Sequence, residues 1–161
     1  MPELTHFDEK GQPKIVDVSS KKETSREACA RGKIIMQPST LMLIKNGAVQ
    51  KGDVLSVATC AGIMAAKHTG TLIPMCHPLG IESCNISFYF DNKDSAIEME
   101  AKVKVTAKTG VEMEALVAVT TTCLTIYDMC KSYDKGMVIS DIRLISKSGG
   151  RSGEWVCSNP L

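Results

Sequence analysis

At 161 residues, with 43% hydrophobic and 23% charged residues, the chain reads as one globular domain, 1–161, long enough to bury a real core. A net charge of +1 and an aromatic set of three Phe, three Tyr and one Trp exclude bulk attraction to nucleic acid or an anionic membrane, and exclude a base-stacking surface. No uninterrupted apolar run reaches the ~18 residues of a membrane span. Met1 to His6 has neither the basic nor the apolar region of a signal peptide. The seven cysteines are odd in number and form no C-x-x-C, so the expectation is a reduced, cytoplasmic protein with thiols and no metal site.

Residues 1–30 are polar and include a charged run from Lys21 to Arg31, so they read as an extended N-terminal arm in which Arg26 could be carried to an anion. Lys33 to Met36 predicts a short strand stopped by Pro38. Ser39 or Thr40 caps a short helix, Leu41–Lys45, that ends at Asn46-Gly47. Asp53 caps a second helix over Val54–Lys67, whose small residues Ala58, Ala61, Gly62, Ala65 and Ala66 permit close approach of another backbone; Gly70 ends it. In Pro74-Met75-Cys76-His77-Pro78 two prolines exclude regular helix or central strand, leaving a stiff loop that aims His77. A loop this apolar must be buried or face a partner. A hydrogen-bonded structural histidine explains His77 as well, and adjacent Cys76 and His77 are poorly placed to share one metal ion.

Asn85–Phe90 alternates as a strand, Asp91–Asp94 turns, and Ala96–Thr106 is a clean period-two strand with Glu and Lys along one solvated or interfacial face. A long apolar helix then runs from Val111 to Cys130, with Thr109 and Glu112 spaced as a capping box. Met137–Ile139 and Ile142–Ile145 form a last strand. Lys147-Ser148-Gly149-Gly150-Arg151-Ser152-Gly153 is a basic glycine-rich turn lacking the Walker A pattern, and a loose tail follows, so that 147–161 is turn and tail. The order β-α-α-β-β-α-β implies an α+β, ferredoxin-like fold with helices packed on one face of an antiparallel sheet.

The long helix ends in Asp128-Met129-Cys130-Lys131, with Asp128 and Lys131 three apart and on one side. Buried together, such a pair would suggest acid–base chemistry; on the surface it would be an ion pair suited to a helix C-terminus. Asp128 lies 14 residues beyond Glu114, which is ~21 Å along a helix, so one small site can use both ends only if two chains build it.

Six blocks carry a further signal: Lys51-Gly52-Asp53, Ala61 to Lys67, Leu72 to Pro78, Lys108 to Leu116, Leu124 to Lys131, and Lys147 to Gly150. Together, and in this order, they resemble the molybdenum cofactor biosynthesis protein C family, the cyclic pyranopterin monophosphate synthases, from Leu4-Thr5-His6 to Ser152-Gly153. The resemblance implies a ferredoxin-like homohexamer, a trimer of dimers with interfacial active sites. It implies conversion of a cyclised GTP derivative to cyclic pyranopterin monophosphate with release of pyrophosphate. It carries catalytic roles to Asp128, Lys131 and Lys51, and substrate contacts to Met75, Cys76, His77, Glu112, Met113 and Glu114. Arg26 and Lys147 fall, with Lys51, where the triphosphate is held. It implies no redox cofactor, leaves open a divalent cation beside the triphosphate, and implies a radical-SAM enzyme upstream. Val119-Thr120-Thr121-Thr122-Cys123 departs from the family's usual Ala and Ser, and Glu154 to Leu161 matches nothing specific. A nucleotide-binding module without chemistry and a metal-dependent hydrolase are the competing readings.

Overall fold

The structure, a computed structural model, describes residues 10–158. The expectations touching Leu4-Thr5-His6 and the last three residues lie outside that range. The strands are β1 (Thr24–Ile35), β2 (Ser83–Asp91), β3 (Ala96–Ala107), β4 (Val138–Ser148) and β5 (Trp155–Val156). The helices are α1 (Pro38–Lys45), α2 (Val54–Lys67), the single turn α3 (Thr69–Leu72) and α4 (Glu112–Cys130). The five strands form one antiparallel sheet in the order β2-β3-β1-β4-β5, which places β1 between β3 and β4. The expected ferredoxin-like α+β architecture is present, with β5 added at one edge.

The alternation of β1 and β3 separates two chemistries. Ala28, Ala30, Ile34, Ile97, Met99, Ala101, Val103 and Val105 are buried, and α4 packs across this sheet with α2 alongside it. Ile126 on α4 is fully buried, a placement that contributes about 1.5–3 kcal/mol for a side chain of that size. Two glycines allow the close packing. A Cβ on Gly32 would fall 2.6 Å from Val119 Cγ1, and one on Gly62 would fall 2.5 Å from Ile86 Cδ1, so the small residues of α2 serve packing. The opposite sheet face carries ion pairs, among them Arg31–Glu100 at 2.6 Å, Lys102–Glu100 at 3.2 Å and Lys104–Glu27 at 2.9 Å. Glu100 is buried within that network, so only part of the charged face is solvated.

Several local expectations are corrected. Residues 24–30 are not an arm but the first half of the central strand, because Ala28 and Ala30 face the core while Glu27 and Arg31 face outward. Pro38 begins α1 rather than preceding it, since a missing N–H costs nothing at a helix start; Gln37 is the cap residue and makes no side-chain cap bond. Gly70 lies inside α3, after α2 has already ended at Lys67. Asp53 does cap α2, its carboxylate accepting the Ser56 N–H at 3.1 Å. The Thr109–Glu112 capping box is absent: Val111 is the cap residue, without a side-chain bond, and Glu112 turns to Lys147 instead. The tail folds back, with Trp155 and Val156 paired to Lys147 and Ser146. By length and composition α4 would pass for a membrane span, but half of it is buried inside the protein, as befits a core helix.

Candidate active site

Helix α4 is the axis of the site because it places the candidate residues at its two ends. At its start, Glu112, Met113 and Glu114 meet the proline-bracketed loop carrying Met75, Cys76 and His77, enclosing a cavity of about 380 Å³. The Cys76 N–H donates to the Ile73 carbonyl at 3.0 Å, and a Cβ on Gly70 would lie 2.9 Å from Pro78 Cα, so the loop is held tightly against α3. Its apolar residues are only half covered: Met75, Cys76 and Leu79 are half-buried, and Leu72 at the end of α3 is 58% exposed. The single chain therefore covers so apolar a loop only in part.

A second cleft, of about 320 Å³, shares Lys21, Thr109, Gly110 and Glu112 with the first, so the two form a continuous groove. Its walls bring together Lys21, Arg26, Lys108, Lys147 and Arg151 against the acids Glu27 and Glu112. Such an excess of cations, facing a helix N-terminus, suits a polyanion. Lys147 Nζ lies 2.8 Å from Glu112 Oε1. Arg26 reaches this cleft from β1, donating through Nη1 to the Gly149 carbonyl and through Nη2 to the Lys108 carbonyl, both at 3.3 Å. Its Nε is buried without a partner among the described residues. The glycine-rich turn wraps this guanidinium: Gly149 and Gly150 have φ of +94° and +73°, and a Cβ on Gly150 would collide with Arg26.

The two glutamates of this end differ in state. Burial pushes the Glu112 carboxyl up, but the Lys147 bond and the charges of Lys147 and Arg26 outweigh it and hold it below the usual carboxylate range. Glu114 is 3% exposed, with no cation beside it among the described residues; burial, reinforced by the charge of Glu112, raises its pKa. Burial also raises the Cys76 thiol, with a contribution from Glu114. Glu114 is therefore the acid whose pKa moves toward the range useful for proton transfer. A raised native pKa means the folded state binds the extra proton, so stability falls as pH rises from the unfolded value through the native one. Glu114→Gln, which cannot ionise, is expected to melt higher than wild type at pH 8 and to match it at pH 4, in paired thermal denaturation curves.

At the other end of α4, Asp128 Oδ1 and Lys131 Nζ lie 2.7 Å apart. Lys51 Nζ donates to the Asp128 carbonyl at 2.8 Å and stands 3.8 Å from its Oδ2. Tyr133 accepts the Gln50 N–H at 3.0 Å, and buried Asp134 accepts the Gln37 N–H at 2.8 Å, tying neighbouring loops to this end. Of the two alternatives for the Asp–Lys pair, the surface one is found: the side chains of Asp128 and Lys131 are 62% and 53% exposed. The last turn of α4 presents them to solvent in the single chain. Their shifts follow from contact, not desolvation. The Lys131 bond and charge, then Lys51, lower Asp128, and Asp128 in turn raises Lys131. Both groups are held in their charged forms.

Every candidate residue thus falls at one of two ends, Met75, Cys76, His77, Glu112, Met113, Glu114, Arg26 and Lys147 at one, and Lys51, Asp128 and Lys131 at the other. Lys21 and Lys108 join the cationic cleft without having been singled out from the sequence. Lys108 precedes the helix start within a recognisable block, but nothing local marks Lys21. Among the described residues, no group of three or more His, Cys, Asp and Glu side chains converges to hold a metal ion.

The model of the MoaC family matches residues 15–150, a span that includes α4 and the candidate residues at both of its ends. The chain belongs to the MoaC family. It is 60% identical over 159 residues to the cyclic pyranopterin monophosphate synthase of Desulfitobacterium hafniense, covering 99% of this chain and 97% of that protein. It is 56% identical over 156 residues to the synthase of the same name from Heliobacterium modesticaldum, covering 97% of this chain and 98% of the relative. The Thermoanaerobacter sp. synthase is 58% identical over 150 residues, 93% of this chain and 95% of its own. Membership accounts for the six blocks together: five build the groove, its glycine-rich turn and the Lys51–Asp128–Lys131 cluster, and Ala61 to Lys67 packs α2 against α4.

Proposed function

We propose that this MoaC-family chain is a cyclic pyranopterin monophosphate synthase, a lyase of molybdenum cofactor biosynthesis. It converts (8S)-3′,8-cyclo-7,8-dihydroguanosine 5′-triphosphate to cyclic pyranopterin monophosphate and pyrophosphate. The observation that carries this reading is full-length likeness to synthases of that name, in a chain whose groove joins a part-apolar pocket to a cationic cleft. The pocket suits a purine-derived ring: carboxylates at Glu112 and Glu114 face its N–H donors, and Met75 and Met113 supply apolar walls. The cleft suits a triphosphate, with Arg26 and Lys147 beside Lys21 and Lys108. Neutralising cations favour attack of a sugar hydroxyl on the α-phosphate as pyrophosphate leaves.

Opening one ring and closing another requires proton transfers, for which Asp128 is held as a base and Lys131 as an acid. They stand ~21 Å from Glu114 along α4. We assign them to the groove of a neighbouring copy, in a homohexamer built as a trimer of dimers with sites at subunit boundaries. In support, α2 leaves Val57 and Met64 46% and 60% exposed, and α4 leaves Leu124 53% exposed, apolar surface of the kind buried between subunits. No redox cofactor is required by the chemistry, and a divalent cation beside the triphosphate is compatible with it. The supplier of the cyclised substrate would be a radical-SAM enzyme. The thiols of Cys29, Cys60, Cys76, Cys84, Cys123 and Cys130 accord with a reducing cytoplasm.

The purified chain is expected to form cyclic pyranopterin monophosphate with one equivalent of pyrophosphate, measured by chromatography with and without a chelator. Substrate binding without turnover would leave a nucleotide-binding module. Activity abolished by the chelator would favour a metal-dependent enzyme. A second measurement probes the cleft. Gly150→Ala forces a left-handed residue to carry a Cβ against Arg26, costing about 1–2 kcal/mol of strain. It is expected to weaken pyrophosphate binding roughly tenfold, the loss of one charge-assisted hydrogen bond. Isothermal titration reads that directly.

A further inference from the structure

The segment before β1 forms a strap along the groove. Val16 and Val18 are half-buried and line the ring pocket, while Ile15, Asp17 and Ser19 between and beside them are exposed. Asp17 Oδ1 accepts the Ser19 N–H at 2.8 Å and its hydroxyl at 2.5 Å, and the Lys21 N–H donates to the Val18 carbonyl at 3.0 Å, which shapes the segment into a turn. Lys108 Nζ donates to the Ser19 carbonyl at 3.1 Å, fastening the strap to the turn between β3 and α4. It touches the ring pocket through a second polar contact: the Val16 carbonyl lies 2.8 Å from His77 Nε2.

A carbonyl oxygen only accepts, so Nε2 must carry the proton in this bond. In neutral imidazole the other nitrogen is then the lone-pair nitrogen, and the hydrogen bond of the first determines the role of the second. The geometry points to a positioning role for Val16: its carbonyl holds His77 as the Nε2–H tautomer, leaving Nδ1 as the ring acceptor for an N–H or O–H of the substrate. The role rests on the groove being the synthase's substrate site. An acceptor there matches the neighbouring carboxylates of Glu112 and Glu114, since a guanine-derived edge is rich in N–H donors. The prolines at 74 and 78 restrict the loop backbone, and the strap supplies what they cannot, a constraint on the ring's tautomer and rotation.

The test uses the full chain labelled with nitrogen-15 histidine, with the His77 signals assigned by their disappearance in His77→Asn. At pH 8 the wild-type ring is expected to show a protonated Nε2 protected from exchange with water and a bare Nδ1. Two perturbations loosen the bond. Asp17→Ala opens the turn, and an ester in place of the Val16–Asp17 amide, introduced by ligation at Cys29, weakens the carbonyl as an acceptor without altering a side chain. In the ester protein the Nε2 proton should lose protection and kcat should fall on the order of tenfold, with KM little changed, as for other loss of an orienting partner. A proton on Nδ1, a freely exchanging Nε2 proton in wild type, or unchanged kcat in the ester protein would each overturn the inference. Wild-type protein with the expected spectrum but no synthase turnover would instead overturn the functional reading and leave the tautomer assignment intact.

Discussion

Lys131→Ala protein is expected to bind the cyclised GTP derivative but to release pyrophosphate at least ~100-fold more slowly than wild type, the usual contribution of a positioned general acid or base. The fold should not respond. Lys131 is 53% exposed and its only side-chain partner among the described residues is Asp128, so a stability change within about 0.5 kcal/mol is expected. Asp128→Asn should behave alike. Because mutual contact lowers Asp128 and raises Lys131, the pair stays ionised across the middle of the pH range. The favourable part due to Asp128 is present above its unfolded pKa and lost only as pH falls through its lowered native value. The part due to Lys131 is present below its unfolded pKa and lost as pH rises through its raised one. An acidic limb in turnover above the ordinary carboxylate range therefore belongs elsewhere, and Glu114, with its raised pKa, is the residue to carry it. Glu114→Gln should abolish that limb. A limb unchanged in Glu114→Gln would remove Glu114 from proton transfer, and full turnover by Lys131→Ala would remove Lys131 from the chemistry.

Mixing two inactive variants tests whether two chains share one site. Glu114→Ala disables the start of α4 and Lys131→Ala its end. If each groove takes its Asp128–Lys131 pair from a neighbour, refolding an equimolar mixture makes half of the two-fold dimers hybrid. Each hybrid holds one site with both lesions and one with neither. About a quarter of wild-type activity should return, from parents that have almost none. Sites built within one chain would carry a lesion in every copy, and no activity would return. The expectation follows from the ~21 Å that separates the two ends of a rigid helix, and sedimentation of the same mixture reports whether the oligomer formed.

Some of this protein was legible without coordinates because its signals are local. The period-two run of β3 needs only neighbouring residues to declare which side is apolar, and the span of α4 follows from an apolar stretch flanked by charges at Glu112 and Asp128. Asp53 announces α2 because a cap bonds only three residues along. The two apolar runs of the last strand, to Ile139 and from Ile142, were also legible, whereas the bulge between them, where Asp141 takes a φ of +57° beside register shifts against β1, came only with the structure. The separation of the two candidate ends along α4 was likewise computable from spacing alone.

Other features required the chain to close on itself. Before Lys33 the inward residues of β1 include Ala28, Ala30 and Gly32, too small to advertise a strand against the charges between them, and only pairing to β3 and β4 on both sides identifies it as central. That pairing converts Arg26 from an arm residue into a wall of the anion cleft. Glu112 forgoes local capping for Lys147, 35 residues on, because a charged partner at 2.8 Å outweighs a neutral backbone donor. Lys51 meets Asp128 across 77 positions. The exposure of Asp128 and Lys131 is also a tertiary fact: helical spacing dictates that they share a side, but whether that side faces core or water depends on where the sheet and α2 end beneath it. Sequence by itself determined the residue types, most of the elements and the family. The tertiary structure decided which distant charges neutralise one another, because electrostatic partners are chosen by proximity in space and proximity is settled only when the sheet order is.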